Sequence, residues 1–263
     1  MTTLATGTGL PAPALDLSAT PRVPLGRLVG VELRKLGDTR AGRWLLVAIA
    51  VVTAAAIVIF YLNASPSGRT FIAFAEVTAA PQGFLLPVLG ILLVTSEWSQ
   101  RCALVTFTLE PVRARVIAAK VLAAVVAGLA AIVVALAMAA VATLVSGGSG
   151  AWDGVSAVTM GKFALLQTSG VLQGVAFGLV FLASATAIVT YFVLPSAFSI
   201  VAGLWSWLGH ARPWLDLNAA SEPLYNGKTM DAEQWAQFGT GTALWVLLPF
   251  LLGLARVLRA EVK

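Results

Sequence analysis

The sequence has one cysteine, Cys102, and one histidine, His210. A disulfide framework is excluded, and so is a metal cluster built from thiolates and imidazoles. Charge is also scarce. Asp, Glu, Lys and Arg make up 11% of the chain, against about a quarter in a soluble domain, so a water-facing surface cannot be assembled. Apolar residues fill the space instead, at 59% of the chain with a mean hydropathy of +0.89. They come in runs near the ~20 residues that cross a bilayer as a helix. The composition predicts an all-α integral membrane protein.

Six crossings are readable. They run from Trp44 to Leu62, Gln82 to Ser96, Val121 to Val145, Phe163 to Ala183, Ala187 to Leu208 and Ala243 to Leu258. The second is short alone and borrows residues from Phe71 onward, with Pro81 and Pro87 as kinks. Ser184 to Thr186 marks a tight turn between the fourth and fifth. Thirteen of the 17 Lys and Arg residues fall on one side of this topology, leaving Arg69, Lys162, Arg212 and Lys228 on the other. The positive-inside rule then places both termini in the cytoplasm. The basic pI of about 9.8 follows from that bias without invoking nucleic acid.

Residues 1–21 hold Ala, Thr, Pro and Gly with almost no charge and read as a disordered cytoplasmic lead to a single domain, 22–263. Leu25, Leu28, Val29, Leu33 and Leu36 recur at helical spacing, with Arg27, Arg34, Lys35 and Asp38 on the other side. This spacing predicts a basic amphipathic helix lying on the inner membrane surface. Cys102 reads as a small buried filler.

The loop after the second crossing, Ser96 to Lys120, is the most informative stretch. Leu104, Phe107 and Val112 give it an apolar side, Pro111 interrupts any helix, and Arg113, Arg115 and Lys120 lead into the next crossing. A compact, partly apolar element at the membrane face calls for a protein to dock against it.

The order of these segments carries a resemblance. Val31-Glu32-Leu33-Arg34-Lys35 precedes the first crossing, Thr95-Ser96-Glu97-Trp98 ends the second, and Leu109-Glu110-Pro111 with Arg113, Arg115 and Ala119-Lys120 follows. Together with the C-terminal Leu248-Pro249-Phe250-Leu251-Leu252-Gly253 and Arg256, Arg259 and Glu261-Val262-Lys263, the chain after Pro21 resembles the ABC-2 type permease family, especially its small actinobacterial members. The resemblance implies a six-helix permease subunit of an ATP-driven exporter in the cell's inner membrane. Its loop would form a coupling helix seated in a groove of a separate ATPase, with Glu97, Trp98, Arg101, Leu104, Phe107, Leu109, Pro111, Arg113 and Arg115 at the contact. The N-terminal helix, with Leu28, Glu32, Arg34 and Lys35, would be the second contact. The subunit would need no cofactor, ATP and Mg being bound by the partner. Two ATPase subunits and a second permease subunit, identical or paralogous, would complete the machine.

Other function classes are disfavoured by the residues. Gly161-Lys162 lacks the upstream glycine of a phosphate-binding loop, with Ser156 in its place, and Gly147-Gly148-Ser149-Gly150 is a loop signal. Most crossing cores carry no ionisable residue for proton or sodium coupling. Ser169 has no base near it and His210 lies in the outer loop, so an intramembrane enzyme lacks its parts. A membrane scaffold or sensor moved by an ATPase remains the alternative to a transporter.

Residues for a pathway or for helix packing are fewer. Gly170, Gly174 and Gly178 recur at helical spacing with Gln167 on the same stripe, a face that admits a close backbone. By analogy the second and fifth crossings wall a pathway, with Gln82, Phe84, Thr95 and Tyr191 as distinctive side chains, which suits a lipophilic or amphipathic substrate. Residues 209–238 hold Trp214, Leu217, Leu224, Tyr225, Trp235 and Phe238 among polar residues and predict short helices on the outer leaflet.

Overall fold

The computed structural model describes residues 22–100, 102–146, 148–204, 206–225 and 230–259. The lead expected over 1–21 and Arg101 of the loop lie outside them. The described residues are all-helical, without a strand. Helices α1 (Leu25–Asp38), α2 (Arg40–Asn63), α3 (Phe71–Ser99), α4 (Ala103–Leu109) and α5 (Arg113–Ser146) are followed by α6 (Ala157–Phe181) and α7 (Ser184–Leu204). Two short helices, α8 (Ser206–Leu215) and α9 (Leu217–Tyr225), lead to α10 (Ala232–Thr242), which passes through a π-helical turn at Ala243–Leu247 into α11 (Leu248–Arg259). Six of these segments, with α10 to α11 counted as one, are long and apolar enough to cross a membrane. The protein is a multi-pass bundle, which suits a solvent where every backbone group must be satisfied within its own helix.

Short polar side chains start the helices at chain turns. Thr39 accepts from the Gly42 amide, Thr70 from Ala73 and Ser156 from Thr159. Asp231 and Gln234 form a reciprocal capping box at α10, so each cap satisfies donors that the helix leaves open. Between α1 and α2 only Thr39 intervenes. The carbonyl of Leu36 would lie 1.9 Å from a Cβ at Gly42, so this elbow closes only with glycine there.

The helices outrun the expected spans because their ends project beyond the apolar stretch. Pro81 and Pro87 lie inside an unbroken α3. The turn between α6 and α7 falls at Leu182 and Ala183, one step before the predicted Ser184 to Thr186, and Ser184 already opens α7. Leu182 closes α6 in the left-handed region, φ 55°, its amide bonded to the Gly178 carbonyl. The last crossing starts at Ala232, so Trp235 and Phe238 belong to it; α8 and α9 are the short helices between the last two spans.

The centre of the bundle is α3 against α6. Leu86, Leu89, Val94, Val171, Val175 and Leu179 are fully or nearly fully buried there. The glycine stripe makes this contact: a Cβ at Gly174 would stand 2.1 Å from the Pro87 carbonyl oxygen, and one at Gly178 3.3 Å from Ile91. From the other side, Gly90 meets the Val171 carbonyl at 2.6 Å. Small residues let the two backbones approach, which is how helices associate where water supplies no driving force. Helix α11 packs on α6 in the same manner through Gly253 against Leu179.

Gly174→Ala should therefore lower stability by about 1–3 kcal/mol, the usual cost of overpacking, whereas Gly161→Ala, with nothing within 4 Å, should be neutral. Thermal unfolding in detergent checks the pair. Equal melting of both variants would contradict the packing described.

Candidate functional site

Position 32 lies on the apolar stripe of α1, four residues after Leu28 and four before Leu36, yet it is a glutamate. A buried carboxylate among leucines requires a cation, and the fold brings two. Lys120, fully buried, places its ammonium 2.7 Å from Glu32 Oε2, 3.2 Å from Glu97 Oε1 and 3.3 Å from the Leu93 carbonyl oxygen. The ammonium donates to Glu32 and to the Leu93 carbonyl, and Glu97 adds an ion-pair contact. Lys35 donates to Glu32 Oε1 and to Glu97 Oε1, both at 2.8 Å. The Thr106 hydroxyl of α4 donates to the same Glu97 oxygen at 2.9 Å.

The result is a neutral set of two acids and two bases drawn from α1, the end of α3 and the start of α5, with α4 attached through Thr106. Periodicity puts Lys35 on the polar side of α1. Instead its ammonium turns inward, because a lysine stem is long enough to reach the carboxylates from the helix flank. Burial alone would lower the Lys35 pKa, but its hydrogen bonds to Glu32 and Glu97 and their negative charge outweigh it and hold the ammonium above its ordinary value. The sign of that shift keeps its contribution intact at neutral pH and removes it only as the solution becomes more alkaline than an ordinary lysine pKa of about 10.4.

Helix α4 is held by a second set of contacts. Phe107 is buried, edge-on to Trp98 with ring centroids 6.1 Å apart, and the Arg113 guanidinium lies 5.1 Å from the Phe107 ring centroid. Arg113 also donates to the Val257 carbonyl of α11 at 2.9 Å. Arg115 lies 3.5 Å from Glu110 and donates to the Val23 carbonyl, and Pro111 sits in the break between α4 and α5. The expected apolar side is thus divided: Phe107 faces the bundle, while Leu104, Val105 and Leu109 stand exposed at 53%, 60% and 78%. Leu28 is half-buried and Arg34 exposed on α1. Cys102 is exposed rather than buried, since it precedes α4 in the turn and Phe107 supplies the inward contact.

Midway along α3, α6 and α7 a cavity of about 260 Å³ opens, with α9 as its fourth wall. It gathers Phe84, Gln167, Gly170 and Tyr191 from the pathway set. Phe84 stacks on Phe192, centroids 5.6 Å apart. Gln82 lies behind, donating to the Ala131 carbonyl at 3.2 Å and accepting from Gln167 Nε2 at 3.2 Å. Thr95 is not part of this group: its hydroxyl meets Ser184 Oγ at 2.7 Å near the cluster end. Gly174 and Gly178 pack on α3 instead.

Three contributors do not stand out in the sequence pattern. Lys120 was read as a basic lead-in, although it stands within the apolar run from Val116 to Leu122. Asp216 is another, within the polar residues of 209–238. It is buried, accepts from Ser199 Oγ at 2.6 Å and Arg212 Nε at 3.3 Å, and caps α9 through the Asn218 amide at 3.0 Å. Gln173, on the cavity wall, showed no signal beyond being polar within a span. Among the described residues no group of three or more His, Cys, Asp or Glu comes together.

Lys120→Met leaves two carboxylates with the half-exposed Lys35 alone and should cost about 3–5 kcal/mol, the loss expected when one partner of a buried pair is removed. Adding Glu32→Gln should restore part of it; melting of single and double variants in detergent measures the coupling, and additive losses would dissolve the cluster as a unit. No family model matches the chain, and no curated protein matches it.

Proposed function

We propose that the chain is the transmembrane permease subunit of an ATP-driven exporter of the ABC-2 type, moved by separate ATPase subunits from the cytoplasmic side of the inner membrane. Two permease subunits, identical or paralogous, would face each other across the pathway, and ATP with Mg would bind only the companion. The observation that carries this reading is the charge cluster. It fastens α1, α4 and the adjacent ends of α3 and α5 into one block, so a push on either short helix reaches two membrane spans together.

The outward side of α4 supplies the place to push. Leu104, Val105 and Leu109 form an apolar edge on a helix whose inner side is already fixed by Phe107, Arg113 and Thr106. Exposed apolar side chains beside basic residues suit a shallow protein groove. In this mechanism ATP-driven closure of the companion displaces the block, and α3 and α5 move with it, which alternates access to the pathway.

Val105→Asp with Leu109→Asp should abolish co-purification of the ATPase and ATP-driven efflux in inverted vesicles, with insertion and melting unchanged, because both side chains are exposed. Phe107→Ala should instead lower melting, by about 3–5 kcal/mol for an aromatic lost from a packed site. Efflux that persists without any ATPase companion would overturn the reading.

A further inference from the structure

The cavity between α3, α6, α7 and α9 has an unusual chemical inventory for a space inside a membrane bundle. Among the described residues that line it, none carries a formal charge. Its walls combine the rings of Phe84, Tyr191 and Phe192 with amides from Gln167, Gln173 and Asn218. The two glutamines differ in what they offer. Gln167 spends its Nε2 on the Ala79 carbonyl and Gln82 Oε1, both at 3.2 Å, which leaves its oxygen as an acceptor on the Gly83 side of the cavity.

Gln173 is only 7% exposed, lines the cavity, and has no hydrogen-bond partner for its amide among the described residues. The cavity it lines is the space from which a partner can reach that amide. A buried amide with nothing to bond to is costly, at about 1–3 kcal/mol for the unmet group, and such groups in native folds are normally satisfied by protein, water or ligand.

We propose that this cavity is a binding site for an uncharged amphipathic small molecule. Its polar part offers a donor to Gln167 and a donor and acceptor to Gln173, and its flat apolar part lies against Phe84 and Phe192. Charged ligands are disfavoured because no counter-charge lines the walls and desolvating an ion here would go uncompensated. The volume, 260 Å³, is just under the roughly 300–1,000 Å³ of ordinary small-molecule sites. It takes the polar head and adjoining ring of such a molecule rather than the whole of a large one. That the bound molecule is the exported one rests on the permease reading above; the binding itself does not.

The test uses the full chain alone in zwitterionic nanodiscs, with no ATPase and no nucleotide, and three probes that share one fluorophore. Dansylamide is neutral, dansylglycine carries a carboxylate and dansylcadaverine an ammonium. The expected result is saturable fluorescence with dansylamide, binding of the two charged probes weaker by tenfold or more, and a loss of about tenfold for dansylamide in Gln173→Leu, the size of one buried hydrogen-bonding partner removed. Gly170→Leu, which fills the cavity and leaves the amides in place, should also suppress the signal. It guards against misfolding of the first variant, and Val193→Ala on the exposed side of α7 should bind as the parent does.

Equal binding of all three probes, or unchanged dansylamide binding in both cavity variants, overturns the proposal. Absence of any saturable signal beyond empty nanodiscs also overturns it and makes the cavity a hydrated space only. Because this assay is independent of ATP, its failure leaves the permease reading standing. Loss of efflux coupling with dansylamide binding intact would strike that reading alone.

Discussion

A charge cannot be left alone in a low-dielectric site, and most of the architecture at the α1 end follows from that rule. Glu32, Glu97 and Lys120 are each at most 5% exposed, so each must find its opposite within the protein. They belong to three helices far apart in sequence, and meeting forces those helices into one arrangement. Alternative placements of α1 would strand a carboxylate among leucines. The cluster thus acts as a registration device, fixing which face of α1 meets the bundle and where α4 ends up. Its stabilising value relative to a purely apolar junction is a separate matter, since desolvation of four ions offsets much of their attraction.

The interior of the bundle is organised by a different constraint. Between α3 and α6 the determining quantity is distance between backbones, set by Gly90, Gly174 and Gly178 against Pro87, Ile91 and Val171. One end of the molecule is therefore specified by electrostatics and its middle by steric fit. The end that carries α8 and α9 uses hydrogen bonds, with Asp216 tying α7, α8 and α9, and Trp245 Nε1 donating to the Leu215 carbonyl at 2.7 Å from the π-helical turn. That wider turn sits where the last crossing meets the short helices.

The six crossings were legible because hydrophobic length is nearly a direct readout of bilayer thickness. Their ends were less so, since Arg113 to Lys120 and Ala232 to Thr242 continue the helices with residues that hydropathy alone assigns to loops. The glycine stripe of α6 was readable as a close-approach face from spacing, whereas its partner, the Pro87 region of α3, depends on tertiary placement. Among the site residues, Glu32 carried a signal in its position on an apolar stripe, and Lys120 one in its apolar neighbours. Neither revealed the other, because pairing across 88 residues is not a local property. Phe107 and Leu104 looked equivalent in composition and face different ways, which only the anchoring by Trp98 and Arg113 decides.

The one-residue joint at Thr39 has a mechanical consequence. Its amide bonds to Lys35 and its hydroxyl accepts from Gly42, and the Leu36 carbonyl leaves no slack around Gly42. Helices α1 and α2 therefore turn as a bent rod rather than as two hinged pieces. At 1.5 Å per residue the 24-residue α2 is a lever about 36 Å long, and a tilt of about 10° at the elbow would sweep its far tip sideways by about 6 Å.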